Sequence, residues 1–229
     1  MSADSVPMRP SFYYEGHYQE VASKIKAYIN TSQDFLSLQT ADSPRAVGDA
    51  LESLVAEKFS TFLGDWCSEY SSDFARRAMA DMAFTDKDGI YSVIDVKTHR
   101  EDTRFNMPNL TSVERLTRFY ESDANVFSIM MIKYAVEDTT ITVSEVLFSP
   151  IEFLDWECLT IGALGWGQIQ IANSNDIRVI DGHSRKKWML QLCEAMTEFY
   201  PREITKIQDR ITRFDTVRKH WESKPDIWA

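Results

Sequence analysis

Ala80-Asp81-Met82-Ala83-Phe84-Thr85-Asp86-Lys87-Asp88-Gly89-Ile90-Tyr91-Ser92-Val93-Ile94-Asp95-Val96-Lys97 is the stretch that decides the fold. Met82–Phe84 and Ile90–Val96 read as two short strands. Asp86-Lys87-Asp88-Gly89 between them reads as a hairpin turn, because Asp-Gly supplies the positive φ that such turns need. Side chains alternate faces along a strand, so Asp95 and Lys97 share one face and Val96 points to the other. A buried strand that ends in Asp and Lys carries a cost unless the two are paired or used. The turn also sets Asp81, at the start of the first strand, beside the end of the second. Two carboxylates and one ammonium therefore converge from one hairpin.

Outward from the hairpin, the chain alternates helical and extended patterns. Glu15–Asn30 is an amphipathic helix, with Val21, Ile25 and Ile29 every four residues and Tyr28 beside them. Ser43-Pro44 reads as an N-cap and first helical residue. The helix that follows, about Arg45–Trp66, puts Leu51, Leu54, Val55 and Phe59 on one stripe, which Phe62 and Leu63 extend. Val126–Val136 and Thr140–Phe148 are two more strands, separated by Glu137-Asp138 and ended by Pro150. Gln168–Ala172, with alternating Gln and Ile, is a fifth. Asp181-Gly182-His183-Ser184 opens a helix to about Phe199, and Pro201 starts another to about Trp221. The pattern predicts an α/β fold with a central mixed sheet of about five strands flanked by helices. One domain over residues 1–229 is expected, with 1–42 as an N-terminal helical arm and 183–222 as C-terminal helices.

Composition sets limits on this picture. The chain has 229 residues, 44% hydrophobic, with six Trp, nine Tyr and thirteen Phe, enough to bury a core and to exclude wholesale disorder. The longest apolar stretch, Val126–Val136, is interrupted by Ser128 and Lys133 and is too short to span a membrane. No secretory signal is visible at the N-terminus. Cys67, Cys158 and Cys193 are far apart and odd in number, which suits a reducing cytoplasm and buried small apolar roles. The net charge of -10 argues against a nucleic-acid partner, yet the charge is uneven. Arg178–Lys224 holds eleven basic and seven acidic residues, and Lys97–Arg118 holds five and three.

Two carboxylates suit Mg²⁺, which is usually held by one or two carboxylates plus waters and substrate phosphate. A nearby Lys can orient or help deprotonate an attacking water and offset charge on the phosphate. Asp81, Asp95 and Lys97 thus form a candidate site for phosphodiester hydrolysis. Glu52, at the margin of its helix's apolar stripe, is a candidate accessory acid. Pattern alone equally fits a surface ion pair for Asp95 and Lys97 and a solvated helix face for Glu52.

These residues resemble the PD-(D/E)xK nuclease superfamily, with Asp81, Asp95 and Lys97 at its three motif positions and Ala80 where the motif has Pro. The resemblance extends to type II restriction endonucleases of the HincII and HpaI kind, in the EcoRV-like branch. It is carried by Asp95-Val96-Lys97-Thr98 followed by Asn106-Met107-Pro108-Asn109-Leu110-Thr111-Ser112, and by Gly165-Trp166-Gly167-Gln168-Ile169-Gln170-Ile171. The spacing to Arg185-Lys186-Lys187-Trp188, and Ala50-Leu51-Glu52-Ser53-Leu54, add to it. The similarity covers about Leu51 to Phe199. It implies a restriction-endonuclease-like fold and a cytoplasmic, homodimeric, Mg²⁺-dependent enzyme. Such enzymes cut double-stranded DNA at a short palindrome, usually leaving blunt ends, and have a cognate DNA methyltransferase as genetic partner. Asp81 and Asp95 would bind metal, Lys97 would assist the water, and Glu52 would be the accessory acid. A repair nuclease or Holliday junction resolvase with the same active site is the alternative, and a structural ion cluster in a binding module is the non-enzymatic reading.

The resemblance places Asn109 in one base-approaching segment and Gln168 and Gln170 in a second. One side-chain amide can both donate and accept, as adenine requires in the major groove. The same residues also fit a turn after Pro108 and a solvent-facing strand edge. Family members carry an Asn six or seven residues before Gln168, where this chain has Ile161 and Gly162. Thr160 or Asn173 could take over reading of the outer base pairs. Thr98, His99 and Arg100 are expected near the DNA, the last two as phosphate contacts. Trp166 is expected in the core, and His183 in a helix cap.

Overall fold

The computed structural model describes residues 9–32, 36–72, 80–103 and 107–227. Asn106 lies outside them. The elements up to the hairpin are α1 (Ser11–Tyr14), α2 (His17–Thr31), α3 (Leu38–Ala41), α4 (Pro44–Leu63) and β1 (Cys67–Ser71). Then come β2 (Met82–Asp86), β3 (Tyr91–Arg100), β4 (Asn109–Ser112), α5 (Val113–Phe119), β5 (Asn125–Glu137) and β6 (Thr140–Pro150). The chain continues through β7 (Leu159–Gly162), β8 (Gln168–Ile171) and α6 (Arg185–Glu222). It separates into two compact units, one ending at Arg185 and the other beginning at Lys186.

The first unit is α/β. Among the described residues, five strands form a mixed sheet in the order β1-β2-β3-β5-β6, flanked by helices. The hairpin forms as its turn residues require. Asp86 Oδ1 accepts from the N–H groups of Asp88 and Ile90, both at 2.9 Å, and Gly89 alone in the turn has positive φ, at 82°. β2 and β3 pair antiparallel with Met82 opposite Ile94. β3 then runs parallel to β5 from Tyr91↔Asn125 to Arg100↔Tyr134, the intervening chain forming the crossover that a parallel pair needs. β5 is buried without interruption from Val126 to Ile132, as a central strand covered on both faces should be.

Ser43 and Pro44 start α4 as expected, Ser43 Oγ accepting from Ala46 N. α4 buries Val47, Leu51, Val55, Phe59, Phe62 and Leu63, while Leu54 is half-buried. Phe12, Phe59, Phe84 and Phe148 close a ring of aromatic contacts, centroids 5.4–6.2 Å apart, that ties α1 and α4 to β2 and β6. α2 contributes Tyr18, Val21, Ile25 and Ile29 to the same core. The N-terminal helices are therefore part of the main core and not an appended arm.

Three further expectations change. Gln168–Ile171 is not in the central sheet; it is the middle strand of a second sheet, β4-β8-β7. Cys67–Ser71 takes the fifth place in the central one. Pro201 does not start a new helix but lies inside α6, which runs on to Glu222. A proline there forfeits one hydrogen bond and crowds the preceding turn. Arg202 Nε donates to the Glu198 carbonyl at 3.1 Å in that turn, and Thr205 Oγ1 donates to the Pro201 carbonyl. Of the cysteines only Cys158 is buried; Cys67 is half-buried and Cys193 exposed. Among the described residues no helix is long and apolar enough to cross a membrane.

One buried polar cluster holds the end of the first unit. Glu152, 1% exposed, pairs with Arg185 Nε at 2.8 Å and accepts from Tyr120 Oη at 2.7 Å, while the Arg185 guanidinium lies over the Tyr120 ring. His183 bonds through Nδ1 to the Glu152 carbonyl at 3.0 Å, just before α6 begins. Removing one partner of a buried ion pair strands the other. Glu152→Ala should lower unfolding free energy by about 3–5 kcal/mol in denaturant titration. A loss below about 1 kcal/mol would show that the cluster is not a structural lock.

Candidate active site and nucleic-acid interface

The candidate site forms where β2 stops and β3 continues. Beyond Met82, the Val96 N–H has no further β2 carbonyl to meet. Asp81 Oδ2 accepts it instead at 2.6 Å, and Asp81 N donates to the Ile94 carbonyl at 2.9 Å. The Asp81 carboxylate is thereby fixed alongside Asp95. Asp95 is buried, at 6% exposure. Its Oδ1 accepts from Lys97 Nζ at 2.7 Å, and its Oδ2 is buried with no hydrogen-bond partner. Burial pushes the Asp95 carboxyl up to about 7; Lys97 opposes the shift, and the negative charges of Asp81 and Glu52 add to it. The hairpin thus brings Asp81, Asp95 and Lys97 together, and Glu52 from α4 adds its charge to theirs.

α4 delivers Glu52. A Cβ at Gly48 would lie 2.7 Å from Thr98 Oγ1, so the missing side chain lets the helix press directly on β3 at Thr98. Arg45, Gly48, Asp49 and Glu52 follow at one-turn spacing. With Val96, Lys97, Thr98 and Pro108 they line a cleft of about 250 Å³. A larger cleft of about 460 Å³ over β1 and β2 has Glu69 as the one charged residue in its lining; Glu52 and Lys97 line the smaller one.

Among the described residues no group of three or more His, Cys, Asp or Glu is placed to hold a metal ion unaided. The donor set nevertheless fits Mg²⁺, which keeps several waters and takes only one or two carboxylates. The Asp95 Oδ2 without a partner and the Asp81 carboxylate beside it would be those two.

Pro108 leads from the cleft into the second sheet, its carbonyl accepting from Ile171 N at 3.1 Å. In that sheet Ile169 and Ile171 are fully buried, so Gln168 and Gln170 occupy the other face, as the alternation predicts. Asn109, Gln170 and Thr160 stand opposite one another across the three strands. Gln170 Nε2 donates to Asn109 Oδ1 at 2.5 Å. The two proposed base-reading segments therefore meet in one amide row. Gly162 makes room for it: a Cβ there would lie 2.6 Å from Gln170 Oε1.

Other expected contacts fall elsewhere. His99 is 1% exposed and bonds through Nε2 to Asn175 Oδ1 at 2.8 Å, so it joins β3 to the turn after β8 and cannot reach a phosphate. Arg100 is half-buried, pairs with Asp102 at 3.1 Å and donates to the Ala41 carbonyl. Asn173 Oδ1 accepts from Asn175 N at 3.0 Å and shapes that same turn; it is not in the amide row. Trp166 is 56% exposed, between Gly165 and Gly167 with positive φ, and is not a core residue. It shares a pocket with Arg115, Leu164 and Gln168.

Gly48, Arg45 and Asp49 carry no site role in the sequence reading, and Gly162 is read there only as a missing Asn. Arg45, Asp49 and Glu52 could be found from their shared helix face, whereas the two glycines show their purpose only through partners distant in the chain. No family model matches this chain, and no curated protein shows significant similarity to it.

A carboxyl with raised pKa favours the fold while protonated and loses that contribution as pH rises through about 7. Metal-free Asp95→Asn should therefore match wild type in thermal melting near pH 4 and exceed it increasingly up to pH 8. Mg²⁺ should raise the melting temperature of wild type but not of the variant. A variant less stable at pH 8, with an unchanged response to Mg²⁺, would contradict this account of Asp95.

Proposed function

We propose that the chain is a Mg²⁺-dependent endonuclease that hydrolyses double-stranded DNA at a short palindromic site, a type II restriction enzyme with a restriction-endonuclease-like fold. The observation that carries the reading is the Asp95 carboxylate, buried with one oxygen on Lys97 and the other without a partner, flanked by Asp81 and Glu52. A merely structural ion pair has no use for the second oxygen or for two more acids beside it.

In this reading Lys97 holds the attacking water and offsets negative charge as the new oxygen–phosphorus bond forms and the bridging one breaks. Asp95 keeps the Lys97 ammonium aimed. The Val96 N–H keeps Asp81 aimed, and Glu52 closes the acidic side of the cleft. Mg²⁺ held by Asp81 and Asp95 would supply positive charge at the scissile phosphate. Asn109, Gln168 and Gln170 read base edges, with Thr98 at the cleft between reading and cutting. A palindrome calls for two copies related by a twofold axis, each reading one half-site and cutting one strand. A cognate methyltransferase would protect the host's own sites, and the cytoplasm is the expected compartment.

Purified protein with Mg²⁺ should convert plasmid or phage DNA into discrete bands. Lys97→Ala or Asp95→Ala should lower the rate by about 100-fold or more while leaving the fold intact by circular dichroism. A smear, cleavage unaffected by both substitutions, or cutting of branched DNA regardless of sequence would sink the reading, the last in favour of a resolvase.

Gly162→Ala must displace Gln170 from Asn109. Flexible side-chain atoms absorb the clash, so stability should change little. Discrimination between the cognate site and single-base variants should fall by about 10-fold or more, read as relative cleavage rates. Unchanged discrimination would remove the amide row from base reading.

A further inference from the structure

The second half of α6 carries an apolar stripe that no function so far uses. Tyr200, Ile204, Ile207, Ile211, Phe214 and Trp221 are exposed, from 42% at Tyr200 to 71% at Phe214. The buried residues of the helix, Trp188, Leu192, Met196 and Phe199, lie earlier, followed only by Glu203. The exposed set follows intervals of four, three, four, three and seven residues, and Arg218 sits where the seven divides into four and three. That is the alternating 4–3 spacing of a heptad repeat, sustained over about 33 Å of helix.

This period selects the partner. A mean of 3.5 residues keeps the stripe in line only against another helix wound about it, whereas a flat surface favours 3.6. Ile204 and Ile211 take the a positions and Ile207, Phe214 and Trp221 the d positions. Ile at a is compatible with two parallel strands, and of the d residues only Ile207 is β-branched, so the all-Ile core that favours higher oligomers is not formed. In a parallel pair, Arg210 at g faces Asp215 at e of the other helix, twice by symmetry. Arg218 is the single polar a residue, the kind that sets register at some cost in stability. A helix of this length with its apolar side in water also lacks the packing from which helices draw most stability.

We propose that residues 200–221 form a parallel two-stranded coiled coil with the same segment of a second copy of this chain. The proposal deepens the twofold part of the nuclease reading and rests on it only there. It is tested without DNA or metal, so failure of cleavage and failure of pairing are separately visible.

Sedimentation of the full chain should give twice the 26.5 kDa monomer mass. Residues 200–224 hold seven basic and four acidic residues, so the like-charged helices should associate more tightly at higher salt. Ile207→Asp with Ile211→Asp should weaken association by about 100-fold or more while leaving thermal melting of the first unit unchanged. Asp215→Arg alone should weaken it, and adding Arg210→Glu should restore it. A monomeric wild type, a dimer indifferent to the two Ile substitutions, or a double charge reversal that fails to rescue would each overturn the proposal. So would a monomer whose duplex-DNA retention is lost with the same Ile substitutions, since the stripe would then belong to nucleic acid.

Discussion

The structure turns on one buried carboxylate. Asp95 lies where β2 ends, and beside it the Val96 N–H is met by a side chain, Asp81, in place of a backbone rung. Its bond to Lys97 satisfies one oxygen, and the other is left without a partner inside the protein. Leaving a buried acceptor unmet costs about 1–3 kcal/mol, more for a charged group, and a fold without a use for that arrangement would replace it. The early end of β2, the fixing of Asp81 by Val96 N–H and the close approach of α4 at Gly48 all serve to assemble acids around this one atom pair.

The same strand joins the candidate catalytic residues to the proposed reading segments. β3 runs on past Lys97 to Thr98 and His99, and His99 reaches Asn175 just beyond β8. Pro108 lines the candidate cleft, and its carbonyl accepts from Ile171 N at the end of β8. The sheet that carries the amide row of Asn109 and Gln170 is thus tied through His99 to the strand bearing Asp95 and Lys97, and Pro108 runs from the cleft into it. In the proposed enzyme, a wrong base pair that disturbs the row would have a short mechanical route to the acids, through packed backbone with little freedom to absorb the shift.

The hairpin was legible because two local signals agree: alternation along β3 and an Asp-Gly turn. From them the convergence of Asp81, Asp95 and Lys97 follows without knowledge of the rest of the chain. The amphipathic stripes of α2 and α4 were legible for the same reason. The second sheet was not: of its three four-residue strands only β8 alternates polar and apolar residues along its whole length, and β4 and β7 do not. β1 is an edge strand whose exposure does not alternate. His99 and Arg100 look alike beside Lys97 in sequence; Asn175 and Asp102 decide their fates, the first 76 residues away. Trp166 reads as core by residue type, but its two flanking glycines hold positive φ and carry it outward. Pro201 is an ordinary stop signal overridden by a helix that continues on both sides of it.

The central claim is that the Asp95 constellation cuts DNA where the amide row reads it. Sequencing the fragment ends produced from phage DNA by the wild-type protein with Mg²⁺ tests both halves at once. The account predicts that every end falls at a fixed position within one short palindromic sequence, and that no ends arise with Asp95→Asn. Ends scattered without a shared sequence, or the same ends from the variant, would contradict it.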